Sequence, residues 1–376
     1  MLRNIIRFFT LLLSCFLLST QVLGQDNDPL ADNAPKYSNE FLRIGIGARA
    51  FGMGNAQIAG ADDVTAGYWN PAGLASEGAL EYPEVALMHA SYFANIANYN
   101  YLGFSIPVDT ASRRRFAVTL IRMGIDDIPN TLQLVQPDGT IDYSKVESFS
   151  VTNLAGIFSY AWSPRSIPQL SFGANVKLIY RGVGRFGNAW GFGLDLAAKY
   201  KVGGLDLGLV VTDATQTYNA WTYNTETFEQ DFINTGNTVY QNSIEITKPA
   251  VRFGLAYTLK LSRRINLLAA MDNDLYFDGQ RVGSLASSSN VSWEPRAGLE
   301  IAYLNDQYRK VAFLRAGAYN VQRIQDIDGQ ENTQVFPTAG VGIVVKNFTI
   351  DYALANIGNL SENLYSHIVS LKFHVQ

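Results

Sequence analysis

Three pairs of carboxylates have the spacing for acid–base chemistry, because two acids in different environments can divide the donor and acceptor roles: Asp62 with Asp63, Asp126 with Asp127, and Asp272 with Asp274. Each pair also has a structural use. Asp62-Asp63 precedes an apolar run and suits the start of a short helix over 64–69 with Asp63 as its cap, while Asp126-Asp127 suits the opening of a loop. Asp272 and Asp274, two residues apart, share one face of a strand. His89, His367 and His374 are the only histidines, and none has the HExxH or paired helical spacing of a zinc site. Ser366 next to His367 is no nucleophile–base pair, since consecutive strand residues point to opposite sides. Gly45-Ile46-Gly47 and Gly52-Met53-Gly54 would need a preceding strand and a following helix in a parallel sheet to cradle a phosphate, and no such unit is visible. Residues without side chains serve close packing instead. No enzyme, metal centre or cofactor is expected.

The elements that position these residues are strands. From Ala86 to the end, short stretches alternate apolar and polar residues, and the connections between them alternate long and short. That double alternation predicts a closed up-and-down barrel crossing a membrane, with brief turns on one side and larger loops on the other. Strand candidates fall at 82–93, 97–108, 114–125, 148–162, 168–181, 187–201, 205–213, 245–260, 264–277, 291–304, 310–323, 334–346, 347–355 and 365–376. Most exceed the roughly 9–11 tilted residues needed to cross. Connections 126–147, 214–244, 278–290 and 324–333 are long, whereas 163–167, 202–204, 261–263 and 305–309 are short. The expected fold is all-β, an about fourteen-stranded antiparallel transmembrane β-barrel with an N-terminal plug. A soluble sandwich or propeller would also alternate, but it needs neither such long strands nor loops sorted by side.

Ahead of the barrel, Arg3 and Arg7 followed by the apolar stretch 8–18 and by Val22-Leu23-Gly24 read as a signal peptide over 1–24. Cys15, the only cysteine, falls inside it, so thiol chemistry is not expected of the mature chain. A polar lead-in over 25–40, a Gly- and Ala-rich plug over 41–80 and a barrel over 81–376 complete the division. The formal net charge of -4 and a pI near 5.5 leave no broad basic surface for nucleic acid.

Period-two patterning sets the facing. In 168–181, Leu170, Phe172, Ala174, Val176, Leu178 and Tyr180 should meet lipid, and Ser171, Gly173, Asn175, Lys177 and Arg181 the lumen. In 187–201, Trp190, Phe192, Leu194, Leu196 and Tyr200 point out, and Gly191, Gly193, Asp195 and Lys199 point in. Trp162, Tyr180, Trp190, Tyr200 and Tyr303 fall near strand ends, where aromatic girdles sit. The inward charges are Lys177, Asp195, Lys199, Arg252, Lys260, Asp272, Asp274, Arg296, Glu300, Arg315, Asp351 and Lys372. They mix both signs, which suits an ion-paired interior better than an ion-selective channel.

The block Gly47-Ala48-Arg49-Ala50-Phe51-Gly52-Met53-Gly54-Asn55-Ala56, followed by Ala61-Asp62-Asp63-Val64-Thr65-Ala66-Gly67-Tyr68-Trp69-Asn70-Pro71-Ala72-Gly73-Leu74, resembles the start of the PorV/PorQ family. These are outer-membrane barrels of Bacteroidota related to the FadL hydrophobe transporters. The resemblance implies a plug whose motif residues here are Gly47, Arg49, Gly52, Gly54, Asp62, Asp63, Asn70 and Pro71. PorV-like members act with the type IX secretion machine and receive cargo carrying a C-terminal signal domain. FadL-like members instead admit hydrophobic molecules through the plug and a break in the wall. The implied partners are outer-membrane lipid together with secretion components or cargo proteins, or alternatively a hydrophobic small molecule. On the first reading the outer loop 214–244, with Tyr218, Trp221, Tyr223, Phe228, Phe232 and Tyr240, binds protein. On the second the same rings line an entrance for an apolar solute. Packing of the loop onto the rim is a third use. The motif favours the secretion reading.

Overall fold

The computed structural model describes residues 38–375, except 78, 80, 81, 93–95, 110–112, 137, 228, 230–232, 234–241, 280, 282, 283, 289, 326–330 and 356–365. The expected signal peptide over 1–24, the lead-in up to residue 37, and Phe228, Phe232 and Tyr240 lie outside the described residues. The strands are β1 (Glu84–Tyr92), β2 (Ala97–Asp109), β3 (Arg114–Asn130), β4 (Glu147–Trp162), β5 (Leu170–Val183), β6 (Gly187–Val202), β7 (Leu205–Thr212), β8 (Thr217–Tyr223), β9 (Ser243–Thr247), β10 (Ala250–Lys260), β11 (Ile265–Tyr276), β12 (Ala286–Ser287), β13 (Ser292–Leu304), β14 (Lys310–Gln325), β15 (Glu331–Val345), β16 (Phe348–Ala355) and β17 (Ser366–His374).

All pairings among them are antiparallel, and β1 pairs with both β2 and β17, from Glu84 opposite His374 to Ser91 opposite His367. The sheet therefore closes on itself. β6 pairs with β7 along its second half and with β8 along its first, while β10 pairs with β7 and β9 with β8. β7 and β8 are thus two halves of one wall strand, as are β9 and β10. β12 only extends the edge of β13. The wall has fourteen strands. The expected strand 205–213 continues past a break to Tyr223, and the expected strand 245–260 is interrupted at Lys248 and Pro249.

The period-two facing follows the pattern read from the sequence. Leu102, Phe104, Leu120, Leu178, Leu196, Leu299 and Ile350 are exposed, while Gly103, Ser105, Thr119, Lys177, Asp195, Gly298 and Asp351 beside them are buried. An apolar belt outside and a polar face inside is what a bilayer solvates and a filled lumen requires. One correction applies at the end of β10, where Lys260 stands exposed at the short-turn rim rather than inside.

The lumen is filled by the chain's own residues 38–76, folded as single turns at Glu40–Arg43, Ala48–Gly52, Ala66–Trp69 and Pro71–Ala75. Ser38 and Asn39 are already buried, with Asn39 Nδ2 donating to Thr247 Oγ1 at 3.0 Å, so the inner segment starts earlier than residue 41. The helix expected over 64–69 is only Ala66–Trp69, because Asp63 Oδ1 accepts from Thr65 N at 2.9 Å and Thr65 Oγ1 at 2.5 Å and so holds 63–65 in a turn.

Candidate ligand site in the barrel lumen

A segment of isolated turns leaves most of its backbone donors and acceptors without partners of its own, and buried ones must be paired. The lumen side chains supply them. Asp272 Oδ2 accepts from Gln57 N at 2.6 Å and Ile58 N at 2.8 Å; Thr338 Oγ1 accepts from Gly54 N at 3.1 Å; Ser370 Oγ accepts from Ala48 N at 3.1 Å; and Lys199 Nζ donates to Ala61 O at 3.1 Å. Close approach depends on a row of inward glycines on the wall. A Cβ at Gly208 would lie 2.2 Å from Ile58 O, at Gly254 2.9 Å from Ala59 N, at Gly298 2.3 Å from Met53 O, and at Gly317 2.2 Å from Gly54 N.

The motif residues are gathered here as structural parts of that seat. Gly47 N points to Met88 Sδ at 2.9 Å, and Gly52 packs against Gly340, where a Cβ would meet its Cα at 3.0 Å. Gly54 has φ +59°, and a Cβ there would lie 2.5 Å from Ala318 O. Asn70 is fully buried; its Nδ2 donates to Ile58 O at 2.7 Å, and its Oδ1 accepts from Ala72 N at 3.1 Å, capping the turn that Pro71 opens. Arg49 donates to both Glu300 oxygens, at 2.9 and 3.2 Å, and Glu300 accepts from Arg315 at 2.7 Å, which in turn reaches Asp351 at 2.7 Å. Asp62 is only 4.0 Å from Arg49 and remains half-exposed. Asp63 takes Lys372 Nζ at 2.5 Å. Burial pushes the Asp63 carboxyl up, but Lys372 and Arg49 outweigh it and hold the group well below the usual carboxylate range.

The remaining inward charges are similarly paired. Lys177 lies 2.7 Å from Asp195 and 2.5 Å from Asp213; Asp274 takes Arg296 at 2.8 Å and Arg252 at 3.1 Å. Asp63, Asp272 and Asp274 are thus all engaged, while Asp126 and Asp127 stand exposed at a bulge within β3 rather than opening the loop expected there. Ser366 is buried and His367 exposed on the opposite face, where Tyr352 Oη lies 2.7 Å from His367 Nδ1.

Between β7 and β8 the wall strand turns aside at 213–216. Asp213 and Gln216 have φ of 52° and 62°, and Gln216 N donates to Asp213 O at 2.7 Å. Asp195 Oδ1 holds Asp213 N at 2.9 Å. On the next wall strand Pro249, which has no N–H to give the ladder, marks the matching break. Beside these breaks lies a polar chamber of about 70 Å3, lined among others by Arg43, Lys177, Asp213, Thr247, Arg252 and Arg296.

Towards the long loops is a larger apolar cup. A cavity of about 390 Å3 is bounded by Leu132, Phe149, Val183, Phe186, Trp221 and Tyr223. Phe149 and Phe186 meet edge to face at 5.1 Å, and Trp221 stacks on Tyr223 at 5.7 Å and 10°. Trp221 is also tied to a charged pair: Arg181 Nη1 donates to Glu245 at 2.9 Å, Trp221 Nε1 donates to Glu245 Oε2 at 2.6 Å, and the Arg181 guanidinium lies 5.1 Å from the Trp221 ring. Along β8 the inward residues run Tyr223, Trp221, Asn219 and Thr217; the first two line the cup, and Asn219 Nδ2 donates to Ser38 Oγ at 3.1 Å beside the chamber. Cup and chamber therefore follow one another down the lumen.

This corrects the expected aromatic loop. Tyr218, Trp221 and Tyr223 belong to strand β8, with Tyr218 exposed on the outer face and the other two turned inward. Sequence reasoning missed Phe149, Phe186, Val183 and Leu132, which come from three different segments. The visible signal was only aromatic residues at the loop-side ends of strand candidates.

No family model and no curated protein matches the sequence. Solved structures do resemble it. The Pseudomonas putida toluene transporter TodX aligns with a TM-score of 0.54 at 15% identity, over 88% of this chain and 98% of its own. The Ralstonia pickettii toluene transporter TbuX gives 0.51 and 15%, over 88% and 99%, and the CymD monoaromatic hydrocarbon channel 0.52 and 12%, over 89% and 98%. The fold is the one these barrels share. At such identities the likeness concerns architecture alone: a closed fourteen-stranded transmembrane barrel.

Proposed function

We propose that the protein is an outer-membrane channel for small hydrophobic molecules, exported by the signal peptide over 1–24 and closed at rest by residues 38–76 acting as a plug. The observation that carries this reading is the aromatic cup at the loop-side mouth. A dry cavity of about 150 Å3 already accommodates benzene, and the cup, with about 390 Å3 and four aromatic walls, has room for a one-ring solute. That the similar barrels are toluene transporters and a monoaromatic hydrocarbon channel supports the same substrate class. The type IX secretion role, with secretion components or cargo proteins as partners, gains no comparable support, since three of the aromatics it relied on are strand residues.

The test is binding of toluene to the purified barrel, read by quenching of tryptophan fluorescence, with uptake into proteoliposomes alongside. Trp221→Ala should weaken binding by roughly tenfold, the equivalent of about 1.4 kcal/mol. Trp221→Phe should lose less. Saturable toluene binding that is indifferent to both substitutions would move the entrance elsewhere, and no binding at all would remove the transport reading.

A further inference from the structure

The two ends of the barrel differ in charge. Each of the six short turns, or the strand residue beside it, presents a cation that is exposed or half-exposed: Arg114, Arg165, Lys201, Arg263, Arg309 and Lys346. Among the described residues, the non-buried acids of that end are Glu77, Asp109 and Asp306, and Asp306 is already taken by Arg264. The charged groups of all of these residues except Lys201 make no hydrogen bond or ion pair with a described side chain. The long-loop end is mixed: Asp126, Asp127, Asp138 and Glu147 are exposed and Asp142 half-exposed, beside the exposed cations Lys145 and Arg185, the latter paired with Glu147 at 3.3 Å.

The position of the cations is set by the aromatic belt just inside them. Trp162, Tyr257, Tyr303 and Phe348 are exposed on the outer wall at the short-turn ends of their strands, Trp162 being the last residue of β4 and Phe348 the first of β16. Exposed Trp and Tyr mark the level where hydrocarbon gives way to headgroups. Arg165 follows Trp162 by three residues, and Lys346 precedes Phe348 by two. Their flexible stems can run along the apolar wall while the charged ends reach the phosphate layer. The cations also surround the perimeter rather than clustering on one side, because successive turns join successive strands of a closed wall.

We propose that the short-turn face is a docking collar for anionic phospholipid headgroups in the leaflet it meets, independent of what passes through the lumen. A ring of isolated cations at headgroup depth, with few competing acids, is complementary to lipid phosphate.

The test uses the full-length barrel in mixed micelles containing equal amounts of phosphatidylglycerol and phosphatidylcholine, with retained lipid counted by native mass spectrometry. The wild type should retain the anionic lipid in preference on the order of tenfold, as one or two basic contacts at a lipid surface supply, and the preference should shrink as salt is raised. The fourfold variant R165Q/R263Q/R309Q/K346Q should lose it while still migrating as a heat-modifiable folded barrel, and the loop-side variant D126N/D127N/D138N should keep it. Equal retention by the wild type, or a preference unaffected by salt, overturns the proposal whether or not the variants fold. So does a preference that survives in the folded fourfold variant, or an acidic protein crosslinked to the turn face in place of lipid.

Discussion

Leu178 and Glu300 show how differently single residues of this wall are constrained. Leu178 is 47% exposed near the middle of β5, so its environment is hydrocarbon and its alternative is whatever else a bilayer tolerates. Leu178→Arg should cost about 2–4 kcal/mol near the midplane, measured by urea titration of folding into vesicles. Glu300 instead is buried between Arg49 and Arg315. Removing this carboxylate takes away the bidentate partner of Arg49 and leaves Arg315 with Asp351 alone; breaking such a buried group costs about 3–5 kcal/mol, so Glu300→Gln should destabilise at least as much as the lipid-facing substitution. Asp63 adds a pH dependence. Its folded pKa lies below the unfolded value of about 3.9, so its stabilising contribution is present above that pH and is lost as pH falls towards the depressed folded value. Acid unfolding of Asp63→Asn, followed by intrinsic fluorescence between pH 6 and pH 2, should be flatter than that of the wild type.

At the scale of elements, the wall strands and the inner segment impose terms on each other. Strand glycines look like weak points when β propensity alone is considered. Here Gly208, Gly298 and Gly317 are where another backbone comes closest. Gly317→Val would place its side chain against Gly54, whose own φ of +59° leaves no easy retreat. The barrel should still close, since its ladders do not involve that side chain, but the inner segment should be displaced. Faster swelling of liposomes carrying Gly317→Val in a small sugar would report the opened lumen, and unchanged swelling would show that the segment can be accommodated elsewhere. The same glycines were legible in the sequence only as inward positions. Their partner, a segment about 150 residues earlier for Gly208, was not, because period-two patterning gives the side a residue faces and not what stands there.

For the whole molecule, the described residues form a closed barrel with an apolar cup at the long-loop end and a ring of cations at the short-turn end. The apolar cup lies at the long-loop end, and its Trp221 wall is held by the Arg181–Glu245 pair. The ion pair spans the inward face of β6, where Gly187, Ala189 and Gly191 are small enough to leave a trough. Arg181→Ala should therefore enlarge the passage from cup to chamber and raise uptake of an apolar solute in proteoliposomes without loss of barrel folding. Unaltered uptake would place the resistance lower, in residues 38–76 themselves.

The number of wall strands, their facing and the sorting of loops by side were determined by the sequence alone, because alternation between oil and a filled lumen leaves a mark on every residue of a strand. The inner-segment motifs were visible too, though only as a pattern: what Gly54, Asn70 or Asp63 touches depends on strands far away in the chain. Tertiary structure decided that Trp221 and Tyr223 are wall residues facing inward, that they meet Phe149 and Phe186 in one cup, and that Asp272 serves backbone donors rather than a reaction. Those outcomes arise from closing the sheet, which brings side chains from separate strands to one height and one face, a relation that spacing along the chain does not encode.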